Sequence, residues 1–232
     1  MRERCARVGV LFALACGLGA AAAALASEEP SGMRPRQIIE TSAQQVLAIL
    51  RDPARTQEQR IAELEKLAYD RFDFRTMTRL VLSRSWKKLS AEQQDDFVEQ
   101  FTRYLANDYS SRLDRYEQQD VTVLDERAEP RGDVTVRTRM QGGEVDGAII
   151  DYRMRERGGT WRIIDVVIEG ISLVANLRDQ FREVLTREGP EKLLEKLREK
   201  NAAPVESPAP SALAAPLPDW TGRPAAATLR QE

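Results

Sequence analysis

Trp161–Phe181, WRIIDVVIEGISLVANLRDQF, joins two apolar patterns at one glycine. Up to Glu169 it reads as a β-strand, and after Gly170 as a helix, with Ile171, Val174, Leu177, Phe181 and Leu185 spaced three or four apart. Strict alternation puts Ile163 and Val167 on one face of the strand and Ile164, Val166 and Ile168 on the other. A sheet with one wet face alternates apolar and polar residues, and this strand does not.

Working upstream, three more strands are expected: one from Val121 and Val123, one over 134–140 and one over 145–155. The third carries Ala148, Ile150, Tyr152 and Met154 on one side. Arg131-Gly132-Asp133, Gln141-Gly142-Gly143 and Gly158-Gly159 punctuate them as tight turns, which makes an antiparallel meander of four strands. Helical periodicity precedes the sheet. Ile38 to Leu50 forms a first helix ending near Asp52-Pro53, Ile61 to Ala68 a second, and Asp73 caps a third with Phe74, Met77, Val81 and Leu82. Ser90-Ala91-Glu92-Gln93 is a capping box for a helix with an apolar stripe of Phe97, Phe101, Tyr104, Leu105 and Tyr109. After the strand comes the helix from Ser172, then a stop at Gly189 and a last helix from Pro190 to about Asn201. The expected fold class is α+β: a four-stranded antiparallel sheet covered by helices from both ends of the chain.

The ends read differently. Residues 1–26 have a basic start, an apolar run and a small-residue exit at Ala24-Leu25-Ala26, the pattern of a cleaved secretory signal peptide; an uncleaved membrane anchor is the alternative. Residues 27–35 form a polar leader, 36–201 the domain, and 202–232 a Pro/Ala-rich tail of a composition that builds no core. Both cysteines, Cys5 and Cys16, fall in the signal, so the exported chain has no disulfide. Cleavage shifts the formal charge from −2 to −4, by loss of three arginines and one glutamate, which argues against a nucleic-acid partner. The chain has no histidine, which excludes Ser-His and Cys-His catalysis and histidine-ligated metal sites. Asp165 and Glu169 lie on one strand face as a candidate carboxylate pair, with an exposed salt pair or a turn-stabilising role as the plainer reading. Two uses of the apolar faces stay open on pattern alone: a solid core, or an apolar cavity for a greasy ligand.

Phe72-Asp73-Phe74-Arg75-Thr76-Met77-Thr78-Arg79-Leu80-Val81-Leu82 with Trp86, Glu92-Gln93 and Phe97, and Trp161 to Val174 followed by Asn176, Arg178, Gln180 and Phe181, resemble the periplasmic MlaC family, also called toluene-tolerance proteins. The resemblance covers roughly 36–201. Leu177 departs from it, standing where a tyrosine is common, and the Pro/Ala tail is extra. A hopanoid-associated branch is similar, but the intact EGISLV stretch, Glu169–Val174, favours the main family. The resemblance implies a monomeric periplasmic carrier, not an enzyme. It would hold phospholipid acyl chains in a cavity and exchange lipid with an outer-membrane lipoprotein–porin complex and an inner-membrane ABC transporter complex with MCE domains. A small acid/base enzyme is the rival. The lipid is cargo, and no cofactor or metal is expected. Candidate lining residues are Tyr152, Met154, Ile164, Val166 and Ile168 on strands, Leu173, Val174, Leu177 and Phe181 on the following helix, and Val81, Leu82, Phe101, Tyr104 and Leu105 opposite. Arg79 and Arg178 are candidates for a headgroup phosphate, and Trp86 and Trp161 for structural anchors.

Overall fold

The computed structural model describes residues 33–113 and 119–202, so the signal peptide, most of the leader and all but the first residue of the tail lie outside the described residues. Helices α1 (Pro35–Arg51), α2 (Gln57–Arg71), α3 (Phe74–Leu82) and α4 (Ala91–Leu113) come first. The strands follow: β1 (Asp120–Ala128), β2 (Val134–Gln141), β3 (Ile149–Arg157), β4 (Thr160–Ile168) and β5 (Ile171–Ser172). Helices α5 (Leu173–Arg187) and α6 (Pro190–Ala202) close the domain. The α+β class holds, with the sheet an antiparallel meander in chain order.

The starts of α3 and α4 are made by the residues expected to make them, while α2 is capped by Thr56, which the sequence reading did not name. Asp73 accepts the Thr76 N–H at 2.8 Å. Ser90 and Gln93 close a reciprocal box: the Gln93 N–H donates to Ser90 Oγ at 3.1 Å and the Ser90 N–H to Gln93 Oε1 at 2.9 Å. Ser90→Ala leaves a first-turn donor of α4 to water and is expected to cost about 1 kcal/mol, read as a lower denaturant midpoint at unchanged slope.

Three sequence expectations are corrected. The sheet has five strands, not four, because Ile171 and Ser172 turn back on β4 before the helix begins, pairing Ile168 with Ile171 and Val167 with Ser172. A two-residue strand is too short to show a period. β3 begins at Ile149 rather than Val145, since Gly143–Val145 is a 3-10 turn. The third correction concerns the faces of β4. Met154 pairs with Ile163 and Arg153 with Asp165, so Ile164 is an extra, bulged residue. A bulge changes the parity of everything beyond it. Ile163, Val166 and Ile168 therefore share one face with Met154, Tyr152 and Ile150, their partners on β3. Asp165 and Val167 take the other face.

With that shift the sheet has an apolar inner face and a polar outer one. Outside, Arg155 makes a two-point pair with Asp133, 2.6 Å at each contact, and Arg137 one with Asp151 at 2.8 and 3.0 Å. The Asp133 and Asp151 carboxylates hold their arginines above the ordinary guanidinium pKa, chiefly through these hydrogen bonds. Inside, α1 packs on β1 and β2 through Ile38 and Ile39; α2, α3 and α5 contact β4. Helices α3 to α6 pack on one another.

Candidate functional site

The junction between β4 and α5 positions the site. Glu169 and Gly170 both have positive φ, 48° and 80°, and form the two-residue turn from β4 to β5. Gly158 and Gly159 solve the same problem between β3 and β4, also with both φ positive. Glutamate at the first position of such a turn is strained, and its hold is visible: Glu169 N–H donates to Ile149 O at 3.0 Å, and its carboxylate accepts the Ile149 N–H at 2.5 Å. Ser172 then caps α5, its Oγ accepting the Ala175 N–H at 3.0 Å.

Asp165 locks the two elements together. It is 2% exposed. Its Oδ2 accepts the Ser172 hydroxyl at 2.6 Å and its Oδ1 the Val174 N–H at 3.0 Å, with the Arg153 guanidinium 3.5 Å away. A carboxylate at a helix N-terminus satisfies orphan donors and complements the helix dipole. Both oxygens are thus committed to starting α5. Glu169 is bound to the Ile149 backbone, so the two carboxylates do not act as a pair. The sequence named Ser172 as a helix start but gave no sign that a strand residue seven positions earlier would share the task.

The candidate lining residues divide between two apolar clusters. Val81, Leu82, Phe101, Tyr104, Leu105, Val174, Leu177 and Phe181 are buried together among α3, α4, α5 and α6, with Leu173 packed at the margin. Met154 is buried with Ile38, Ile39, Val136 and Ile163 between α1 and the sheet, with Tyr152 and Val166 packed against them. Ile164, the bulged residue, is 1% exposed. Ile168 is half-buried on the inner face, level with Ile150 and Thr138. Phe72, the first residue of the Phe72–Leu82 motif and not among the candidate lining residues, packs against both clusters. It pairs with Ile163 at the β4 edge and stacks on Phe74 at 5.6 Å. Trp86 is buried in the helical cluster, and Trp161 packs in the α1–sheet cluster. Arg178 does not reach for an anion with its Nε, which donates to Leu80 O at 2.9 Å and so serves the C-terminal end of α3.

An open depression of about 540 Å³ lies at the start of α5, lined by Gly170, Ile171, Ser172, Ala175, Asn176, Asp179 and Gln180. Its walls are polar and apolar in about equal measure, and none of the candidate lining residues contributes to it. Acyl chains require apolar walls, so the inner sheet face suits a greasy ligand better than this depression does.

The sequence model of the family described as MlaC protein matches residues 40–199. The chain belongs to the MlaC family. Among relatives, it is 30% identical over 105 residues to the toluene tolerance protein ttg2D of Pseudomonas putida, covering 44% of this chain and 48% of that protein. It is 24% identical over 131 residues to the intermembrane phospholipid transport system binding protein MlaC of Haemophilus influenzae, covering 54% and 60%. The chain thus spans about half the length of these two relatives. A phospholipid-binding protein from Ralstonia solanacearum, solved in complex with a phospholipid, superposes with a TM-score of 0.66 at 26% identity. That match covers 73% of this chain and 98% of the other. No described helix of this MlaC-family chain is long and apolar enough to cross a membrane.

Proposed function

We propose that the protein is a periplasmic carrier that shelters the acyl chains of a glycerophospholipid between the inner face of its sheet and its helices, and moves the lipid between membrane complexes. The observation that carries this reading is the likeness, over 73% of this chain and 98% of the other, to a protein solved with a phospholipid bound. The apolar inner face supports it, because Ile168, Val166 and Tyr152 are only partly buried there. The proposed cavity has Ile168, Val166, Tyr152 and Met154 on its floor. The role of Leu173, Val174, Leu177, Phe181, Val81, Leu82, Phe101, Tyr104 and Leu105 is to form the helical wall, or the support behind it, and that of the buried Ile164 is to support the floor from β4.

The energetics require such a carrier. Exposing one buried CH₂ to water costs about 0.8 kcal/mol, so two acyl chains of about thirty CH₂ groups cost on the order of 20 kcal/mol. An apolar cavity cancels most of that cost. Cavity and bilayer are then close in free energy, and the carrier alone sets no direction. Direction comes from differential affinity at the docking partners, which the family resemblance gives as an outer-membrane lipoprotein–porin complex and an inner-membrane MCE-domain ABC transporter. A carrier needs no catalytic group, and the buried Asp165 is already committed to α5.

The test is mass spectrometry of organic extracts of protein purified from the periplasm without detergent. Stoichiometric phospholipid is the expected result. Lipid-free protein from several hosts would overturn the proposal.

A further inference from the structure

Phe74 to Ala91 contains five cations, Arg75, Arg79, Arg84, Lys87 and Lys88, and no acidic residue, in a chain of formal charge −2. Arg75 is paired with Asp95 at 2.5 Å. Arg79, Arg84, Lys87 and Lys88 have no ion-pair partner among the described residues, although most cations elsewhere in the domain are paired. Arg84, Lys87 and Lys88 are exposed and Arg79 is half-buried. Arg178 lies alongside, through its bond to Leu80 O.

The corner is rigidly presented. Ser85–Lys88 is a 3-10 turn, in which residues three apart eclipse, so Arg84 and Lys87 project from the same side. Trp86 is buried beneath, with the Arg75 guanidinium 5.5 Å from its ring centroid. Gln94 Nε2 donates to Trp86 O and Leu89 O at 3.2 and 3.3 Å, fastening the turn to α4. Ser83, at the end of α3, has φ 51°, a strained conformation for serine that turns the chain out into this corner.

We propose that this corner, Arg79 to Lys88, docks on the surface of an anionic lipid bilayer. The choice of a bilayer over an acidic protein rests on what the corner lacks. Protein interfaces are centred on apolar or aromatic anchors. The exposed large apolar residues among those described are Met33, Tyr69, Leu124 and Ile171, all outside 79–88. An anionic leaflet needs no anchor and attracts clustered lysine and arginine by charge alone. The contact weakens as salt screens it.

The test is cosedimentation of protein purified from the periplasm with vesicles of equal parts phosphatidylglycerol and phosphatidylcholine, and with phosphatidylcholine vesicles. Binding is expected to the anionic vesicles, falling with added salt. Arg84→Glu, Lys87→Glu and Lys88→Glu together should lower partitioning at least about tenfold. Reversing three other exposed, unpaired arginines, Arg131, Arg139 and Arg162, should change it little. Far-ultraviolet circular dichroism confirms folding, and a triple Gln variant gives an intermediate loss. Equal affinity for both vesicles, no vesicle binding, or a triple Glu variant that binds as well as the parent overturns the proposal. The lipid carried by the triple Glu variant is extracted in parallel. Arg84, Lys87 and Lys88 are exposed and outside the proposed cavity, so that content should be unchanged, and its loss in the parent would count against the carrier reading alone.

Discussion

Asp165→Ala is expected to lower stability by about 2–4 kcal/mol and the thermal midpoint by roughly 5–15 °C. Three effects add. Val174 N–H, a donor of the first turn of α5, loses its acceptor. Ser172 loses the group that fixes its hydroxyl while that oxygen caps Ala175. The negative charge at the positive end of the helix disappears. Arg153, with 44% of its side chain exposed, finds water instead and adds little. Asp165→Asn keeps the shape and one acceptor and is expected to cost about half as much. Equilibrium unfolding of both variants decides the matter. An Asp165→Asn protein that melts with the parent would sink the idea that this carboxylate locks β4 to α5.

The order of elements was legible because its determinants are local. Asp73, Ser90 and Ser172 each cap within three residues, and a period of 3.6 survives over a helix the length of α5. The faces of β4 were not. A bulge at Ile164 is set by pairing with β3 across a turn, and isoleucine carries no mark of it. The apparent two-faced strand was in large part a parity error: beyond Ile164, Val166 and Ile168 return to the face that Ile163 began, and of the apolar residues there only Val167 takes the other. β5 escaped because two residues define no period. The candidate site was legible as a set of apolar positions, since burial follows hydrophobicity. Its division was not, because which helix lies against which strand is a long-range property. Leu177 and Ile168 read alike in sequence, yet one is fully enclosed by helices and the other lies half-buried on the sheet.

That division yields opposite outcomes for two substitutions. Leu177 has 0% exposure and sits among Val81, Phe101, Phe181 and their neighbours on four helices. Leu177→Ala leaves a cavity that a close-packed bundle refills only in part, at a cost of about 3–4 kcal/mol, or roughly 6–16 °C in thermal midpoint. Ile168→Trp instead adds bulk at a half-buried inner-face position, paired with Ile150 on one side and with Ile171 of the two-residue β5 on the other. Its expected cost to stability is under about 1.5 kcal/mol, while phospholipid recovered per chain falls severalfold because the indole occupies the space proposed for an acyl chain. Thermal melts and extracted-lipid measurements on both variants separate the roles. If Leu177→Ala melts with the parent but loses its lipid, Leu177 lines the cargo space and the helical cluster is wall rather than support. If Ile168→Trp melts far below the parent with its lipid retained, the inner face near β5 is solid core, and the acyl chains lie elsewhere.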